Sequence, residues 1–110
     1  MKSLLEQNKE FIIFLNNLSK SERKQLLGVL GAKYINTISE IFHNFLKQNL
    51  TTDTSVIKRV KPYKNEIRAI SKKSLPIYKK RVLLRSKRGG SILSVLLPIA
   101  STLITSLFSR

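Results

Sequence analysis

The sequence predicts an all-α chain in three parts: an N-terminal helical hairpin, a kinked basic helical region and a C-terminal apolar helix. Three observations predict it. Apolar residues recur at steps of three and four through the first half, Ser-x-x-Glu capping boxes stand where two helices should begin, and two prolines fall where a helix bends or restarts. With 110 residues, the chain is one small domain from which a C-terminal arm can extend, since a domain usually takes about 100–200 residues.

The first helix is expected over about 3–18. Leu4, Phe11, Leu15 and Leu18 share a face that Ile12 widens, and Ser3-Leu4-Leu5-Glu6 is a capping box. Asn16, Asn17 and Ser19 offer an end. Ser19-Lys20-Ser21-Glu22 is a second box, so a second helix starts near residue 20. Leu27, Leu30, Tyr34, Ile38, Ile41 and Phe45 line one side of it, flanked by Ile35, Phe42 and Leu46. Gly28 and Gly31 weaken that helix by about 1 kcal/mol each relative to Ala, or let another helix come close. Residues 1–54 thus read as a hairpin module that packs on itself, or that uses its 27–46 face for a second copy or a partner helix.

Leu50 to Ser55 is a polar break with several N-cap candidates. The basic region, 55–88, follows. Val56, Val60, Tyr63, Ile67 and Ile70 fall on one helical face, interrupted by Pro62, where a kink or fresh start is expected. Ser74-Leu75-Pro76 opens a further helix running to about Ser86. Residues 89–110 form the third part, a Gly89-Gly90 joint and an apolar tail with no charge before Arg110.

The formal charge is +15, and it is unevenly placed. Residues 1–54 carry seven Lys and Arg against five Asp and Glu, whereas residues 55–110 carry fourteen against Glu66 alone. Such asymmetry points to a polyanion, either nucleic acid or an anionic membrane surface. The candidate nucleic-acid-binding residues are Lys58, Arg59, Lys61, Lys64, Arg68, Lys72, Lys73, Lys79, Lys80, Arg81, Arg85, Lys87 and Arg88. Their interleaving with an apolar face suits a helix that tracks phosphates while docking on protein or lipid. No zinc-finger, homeodomain or RNA-recognition pattern accompanies them, so recognition of sequence is not expected. Tyr63 and Tyr78 can stack on bases. Lys72-Lys73 and Lys79-Lys80-Arg81 also read as nuclear-localisation patches.

Other chemistry has little to work with. There is no Cys, one His and six carboxylates, so thiol catalysis, thiolate metal sites and disulfides are excluded and an enzyme, a metal or another cofactor is not expected. His43, between Phe42 and Asn44, reads as a structural or exposed side chain.

The tail raises a separate expectation. Its 21 uncharged residues, 89–109, would extend about 31 Å as a helix, near the hydrocarbon thickness of a bilayer. Ile92, Leu93, Leu96, Leu97, Ile99, Leu103, Ile104, Leu107 and Phe108 are the candidate membrane residues, and Ser94, Pro98, Ser101 and Thr105 form a narrow polar stripe. A span, an amphipathic segment in the interface and a helix packed on the hairpin all fit this pattern. Gly89-Gly90 reads either as a flexible, protease-accessible joint or as a helix-capping turn.

The run Ser74-Leu75-Pro76-Ile77-Tyr78-Lys79-Lys80-Arg81-Val82-Leu83-Leu84, then Arg88-Gly89-Gly90 and the apolar Leu96-Leu97-Pro98-Ile99-Ala100, carries a resemblance over about residues 56–108. It resembles the small basic proteins of adintoviruses and polinton (Maverick) elements, which are similar to the adenovirus core protein X, the mu precursor. The resemblance implies a virion core component that enters the host nucleus and condenses double-stranded DNA. It assigns DNA binding to the basic positions from Lys58 to Arg88 and processing to Gly89 and Gly90. The tail would then be released by a viral protease or act on membranes. The pattern departs from that family in Lys87, where the protease prefers Ile, Leu or Met, and in its higher share of Lys over Arg.

Overall fold

The computed structural model describes the backbone of residues 4–47 and 51–108 and the side chains of 6–47 and 51–105. Within these bounds the chain is all-α. The capping box at Ser3, residues 48–50 and the side chains of Leu107 and Phe108 lie outside the described residues.

Helix α1 (Leu4–Gln7) and α2 (Lys9–Asn17) are separated at Asn8, whose side-chain amide donates to Thr37 Oγ1 at 3.2 Å. The first predicted helix is therefore broken by a polar tie to the helix beside it. Ser19 opens α3 (Lys20–Leu27) with the expected box: Glu22 N–H donates to Ser19 Oγ at 3.2 Å, and Ser19 N–H donates to Glu22 Oε1 at 2.9 Å. These bonds hold the Glu22 carboxyl below its ordinary 4.5.

The second predicted helix divides. Gly28 caps the end of α3, Gly31 caps the start of α4 (Ala32–Leu46), and Val29 between them is 79% exposed. Two weak helix formers bracket a four-residue turn. Asp53 then caps α5 (Thr54–Val60), its Oδ1 accepting from Ser55 N–H at 2.9 Å and from Ser55 Oγ at 2.8 Å. Pro62 makes the expected kink as a 3₁₀ turn, Lys61–Tyr63, leading into α6 (Lys64–Ser71). Pro76 precedes α7 (Ile77–Arg85).

The last helix, α8 (Lys87–Phe108), begins two residues before the expected glycine joint. Gly89, Ile92, Leu93, Leu96, Leu97, Ala100, Ser101 and Ile104 are buried along one stripe, while Pro98, Thr102 and Thr105 are exposed. Its 22 residues reach about 33 Å, matching the longest dimension of a molecule measuring 34 × 30 × 28 Å. The tail thus lies across the globule and does not project from it.

Packing does not follow the three composition regions. Helix α8 touches α1, α2, α3, α4, α5 and α7, with α2 its most extensive neighbour, and α4 packs chiefly on α6. The halves of the sequence hairpin are therefore partnered by later helices. The apolar face of α4 (Ile35, Ile38, Ile41, Phe42 and Phe45) is buried inside this same chain. Most of the 27–46 surface that the sequence offers to a partner helix is filled in this way, while Leu46 stays exposed.

The α7–α8 elbow is Ser86. Its Oγ donates to Leu83 O at 2.6 Å and accepts from Gly89 N–H at 3.0 Å, ending one helix and starting the next. Here Gly89 meets the end of α7: a Cβ built on it would collide with the Leu83 carbonyl and come within 2.9 Å of Leu84 Cα. Gly90 has open space at the same point. Gly89→Ala is expected to destabilise the fold by about 1–3 kcal/mol through backbone collision. Gly90→Ala should be neutral or stabilising by up to about 1 kcal/mol. Chemical denaturation of the two variants measures both; equal effects would contradict the elbow geometry.

Candidate polyanion-binding surface

The basic region wraps the globule with its apolar side inward. Val60, Ile67 and Ile70 are buried and Val56 and Tyr63 half-buried, so the cations between them are turned outward. Lys58, Arg59, Lys61, Lys64, Arg68, Lys72, Lys73, Lys79 and Lys87 are all exposed. Lys61, Lys64, Arg68 and Lys72 follow one another at steps of three, four and four as a short stripe: Lys64 and Arg68 share a face of α6, Lys61 stands in the 3₁₀ turn before it, and Lys72 caps its end.

Glu66 stands beside this stripe and is neutralised. Arg88 holds it with two donors, Nε to Oε1 at 3.1 Å and Nη2 to Oε2 at 3.2 Å, and Nη2 also donates to Pro62 O at 2.7 Å. The same guanidinium lies 4.8 Å from the centre of the Tyr63 ring. Tyr63 is thereby committed to Arg88, whereas Tyr78 is 65% exposed beside Lys79 and remains able to stack on a base.

Not every predicted cation is free: Arg81, Arg85 and Lys80 are tied to backbone or buried. Arg81 Nη1 donates to Leu27 O at 2.8 Å and Arg85 Nε to Lys24 O at 3.1 Å, so both sit at the C-terminal turn of α3. Cations there satisfy orphan carbonyls and the negative end of the helix dipole.

Lys80 is only 2% exposed. It borders an open groove of about 900 Å³ that α4 lines with Asn36, Ser39, Glu40, His43 and Asn44, and the end of α6 with Ser71, Lys72 and Lys73. The Lys80 ammonium has no hydrogen-bond or ion-pair partner among the described residues. The groove went unread in the sequence because its walls come from segments about thirty residues apart. His43 is exposed at its edge. Among the described residues no three His, Cys, Asp or Glu side chains are grouped to hold a metal ion.

The candidate membrane residues are mostly core. Ile92, Leu93, Leu96, Leu97 and Ile104 are buried, and Ile99 and Leu103 pack partly buried against them. By length and composition Lys87–Thr105 would suffice to cross a bilayer. Gly89 and Gly90, the proposed processing pair, lie inside the first turn of α8. Comparison with known protein families, curated proteins and solved structures finds no match for this chain.

Burial pushes the Lys80 ammonium below its ordinary 10.5. Between that lowered value and 10.5 the unfolded chain binds the extra proton, so stability rises with pH across the window. Lys80→Met removes the buried charge and is expected to raise stability near neutrality by on the order of 1 kcal/mol. In thermal melts its advantage over the parent should shrink as pH approaches 10.5. A Lys80→Met protein less stable than the parent at neutral pH would contradict this account.

Proposed function

We propose that this protein binds nucleic acid, double-stranded DNA foremost, through the phosphate backbone and without reading sequence. One observation carries the reading: nine exposed cations of the basic region are free of the ties that hold Arg81, Arg85 and Arg88, four of them along α6 and its two ends, and the one carboxylate of that half is held by Arg88. Fixed cations on a rigid helical face release the counterions condensed on a duplex, which supplies affinity and makes it salt-dependent. Tyr78, exposed beside Lys79, adds a stacking surface for single-stranded segments. DNA condensation inside a virion core, the setting that the resemblance implies, suits such a protein, because packaging requires charge neutralisation at every sequence.

A second reading is a membrane-active protein whose basic face meets anionic headgroups. The length and apolar character of α8 favour it. It requires α8 to leave the core, exposing the buried Ile12, Leu15 and Leu27 among its neighbours.

Titration with duplexes of unrelated sequence distinguishes these readings. Affinity is expected to be equal among sequences and to fall linearly in log–log form with salt. The combined variant Lys61→Gln, Lys64→Gln, Arg68→Gln, Lys72→Gln should reduce the salt slope by about three to four, since each phosphate left unneutralised lowers it by about 0.9. Affinity unchanged between about 50 and about 300 mM salt would overturn the nucleic-acid reading. Dye release from anionic vesicles with no duplex affinity would favour the membrane.

A further inference from the structure

The nearly neutral first half contributes to a second basic feature, separate from the exposed stripe. Arg23, on α3, is 9% exposed. Its Nη2 donates to Ser94 Oγ at 3.3 Å, but Nε and Nη1 are buried with no partner. Burial lowers the pKa of this guanidinium, yet an arginine in a protein keeps its proton. A positive charge with two unmet donors is therefore held inside the fold. Such an arrangement is costly unless an acceptor arrives.

The surroundings are shaped for a negatively charged acceptor. Arg23 borders an open cavity of about 420 Å³ between α3 and the α7–α8 elbow. Lys20 and Lys24 of α3, Arg85 at the end of α7 and Lys87 in the first turn of α8 complete its basic lining, which includes no carboxylate. Glu22, the nearest acid in the α3 sequence, is occupied in the capping box with Ser19. Ser86 and Gly90 bring the N-terminus of the 22-residue α8 to the wall, adding the positive end of its dipole. Gly90 keeps that wall open, since nothing lies within 4 Å of a Cβ built there.

We propose that this cavity is a binding site for one phosphate group, held by Arg23 and Lys87 at the N-terminus of α8. The unmet N–H groups of Arg23 are closed to solvent, so binding turns the guanidinium toward the cavity, where a tetrahedral dianion offers it several acceptors and the surrounding ammonium groups match the charge. The group comes from inorganic phosphate, the terminal phosphomonoester of a nucleic acid, or a backbone phosphodiester. All three present oxygen acceptors of the same kind.

The test uses the full chain and inorganic phosphate, with chloride at equal ionic strength as the reference. Phosphate at about ten times its dissociation constant should raise Tm by roughly 5 °C, with saturation and a shift of the Arg23 Nε–H resonance. Arg23→Met and, independently, Lys87→Gln should each weaken phosphate binding at least about tenfold. Arg23→Met removes unmet buried donors, so it is expected to fold; Lys87 is exposed, and its loss spares the core. Short duplexes with and without a 5′-phosphate then compete for the site. Displacement by the phosphorylated duplex alone assigns a terminal monoester, equal displacement by both assigns the backbone, and displacement by neither assigns free phosphate. A Tm no higher in phosphate than in chloride, or equal phosphate binding in parent and both variants, would overturn the site.

Discussion

The burial of one stripe of α8 is the interaction on which the other helices depend. Ile92, Leu93, Leu96, Leu97, Ala100 and Ile104 present an apolar ridge that α2 covers most extensively and that α1, α3, α4, α5 and α7 also reach. The other buried ridge, Ile35 to Phe45 on α4, packs chiefly on α6. Truncating one such side chain to Ala typically costs about 2–5 kcal/mol, against a total stability of about 5–15 kcal/mol for a small domain. A tail that hydropathy alone would assign to lipid serves as the centre of a compact fold.

Placing α8 inside dictates where the positive charge goes. Helices α5 to α7 cover the core with Val60, Ile67, Ile70 and Leu84, so their lysines and arginines are driven to the outer face. Three arginines are used structurally, two on the carbonyls ending α3 and one on Glu66. Carbonyl oxygens and helix ends thus offset part of a charge that only one carboxylate in that half can balance. The cations left exposed repel one another, and a polyanion relieves that repulsion. Under the proposed function, binding and stability are linked through the same charges.

Much of this was legible in the residues. Ser19 caps the helix that its box announces, Asp53 proves to be the cap among the several candidates of 50–55, Pro62 kinks the basic region, and Val56 to Ile70 face inward as their spacing requires. What escaped has physical causes. The turn at Gly28–Gly31 is four residues, about one helical turn, so the three-and-four spacing continues in phase across a real break. Gly89-Gly90 resembles a joint on propensity, but its position is set by the Leu83 carbonyl, a contact made only when α7 folds back on α8. Hydropathy cannot separate a core helix from a span. Lys80 and Arg23 look like ordinary surface cations because their burial depends on distant helices, and so both the groove and the cavity were invisible in the chain.

The central claim is that α8 is the core of the folded protein in water. Hydrogen exchange of the backbone amides, in buffer without lipid or DNA, tests it most directly. The amides of Leu93 to Leu97, and of Ile99 and Ala100 beyond Pro98, are expected to exchange last, and only through global unfolding, at the rate of the slowest amides in α2 and α4. Rapid exchange along α8 while α2 and α4 stay protected would contradict it, for the ridge would then be dispensable to the fold that surrounds it.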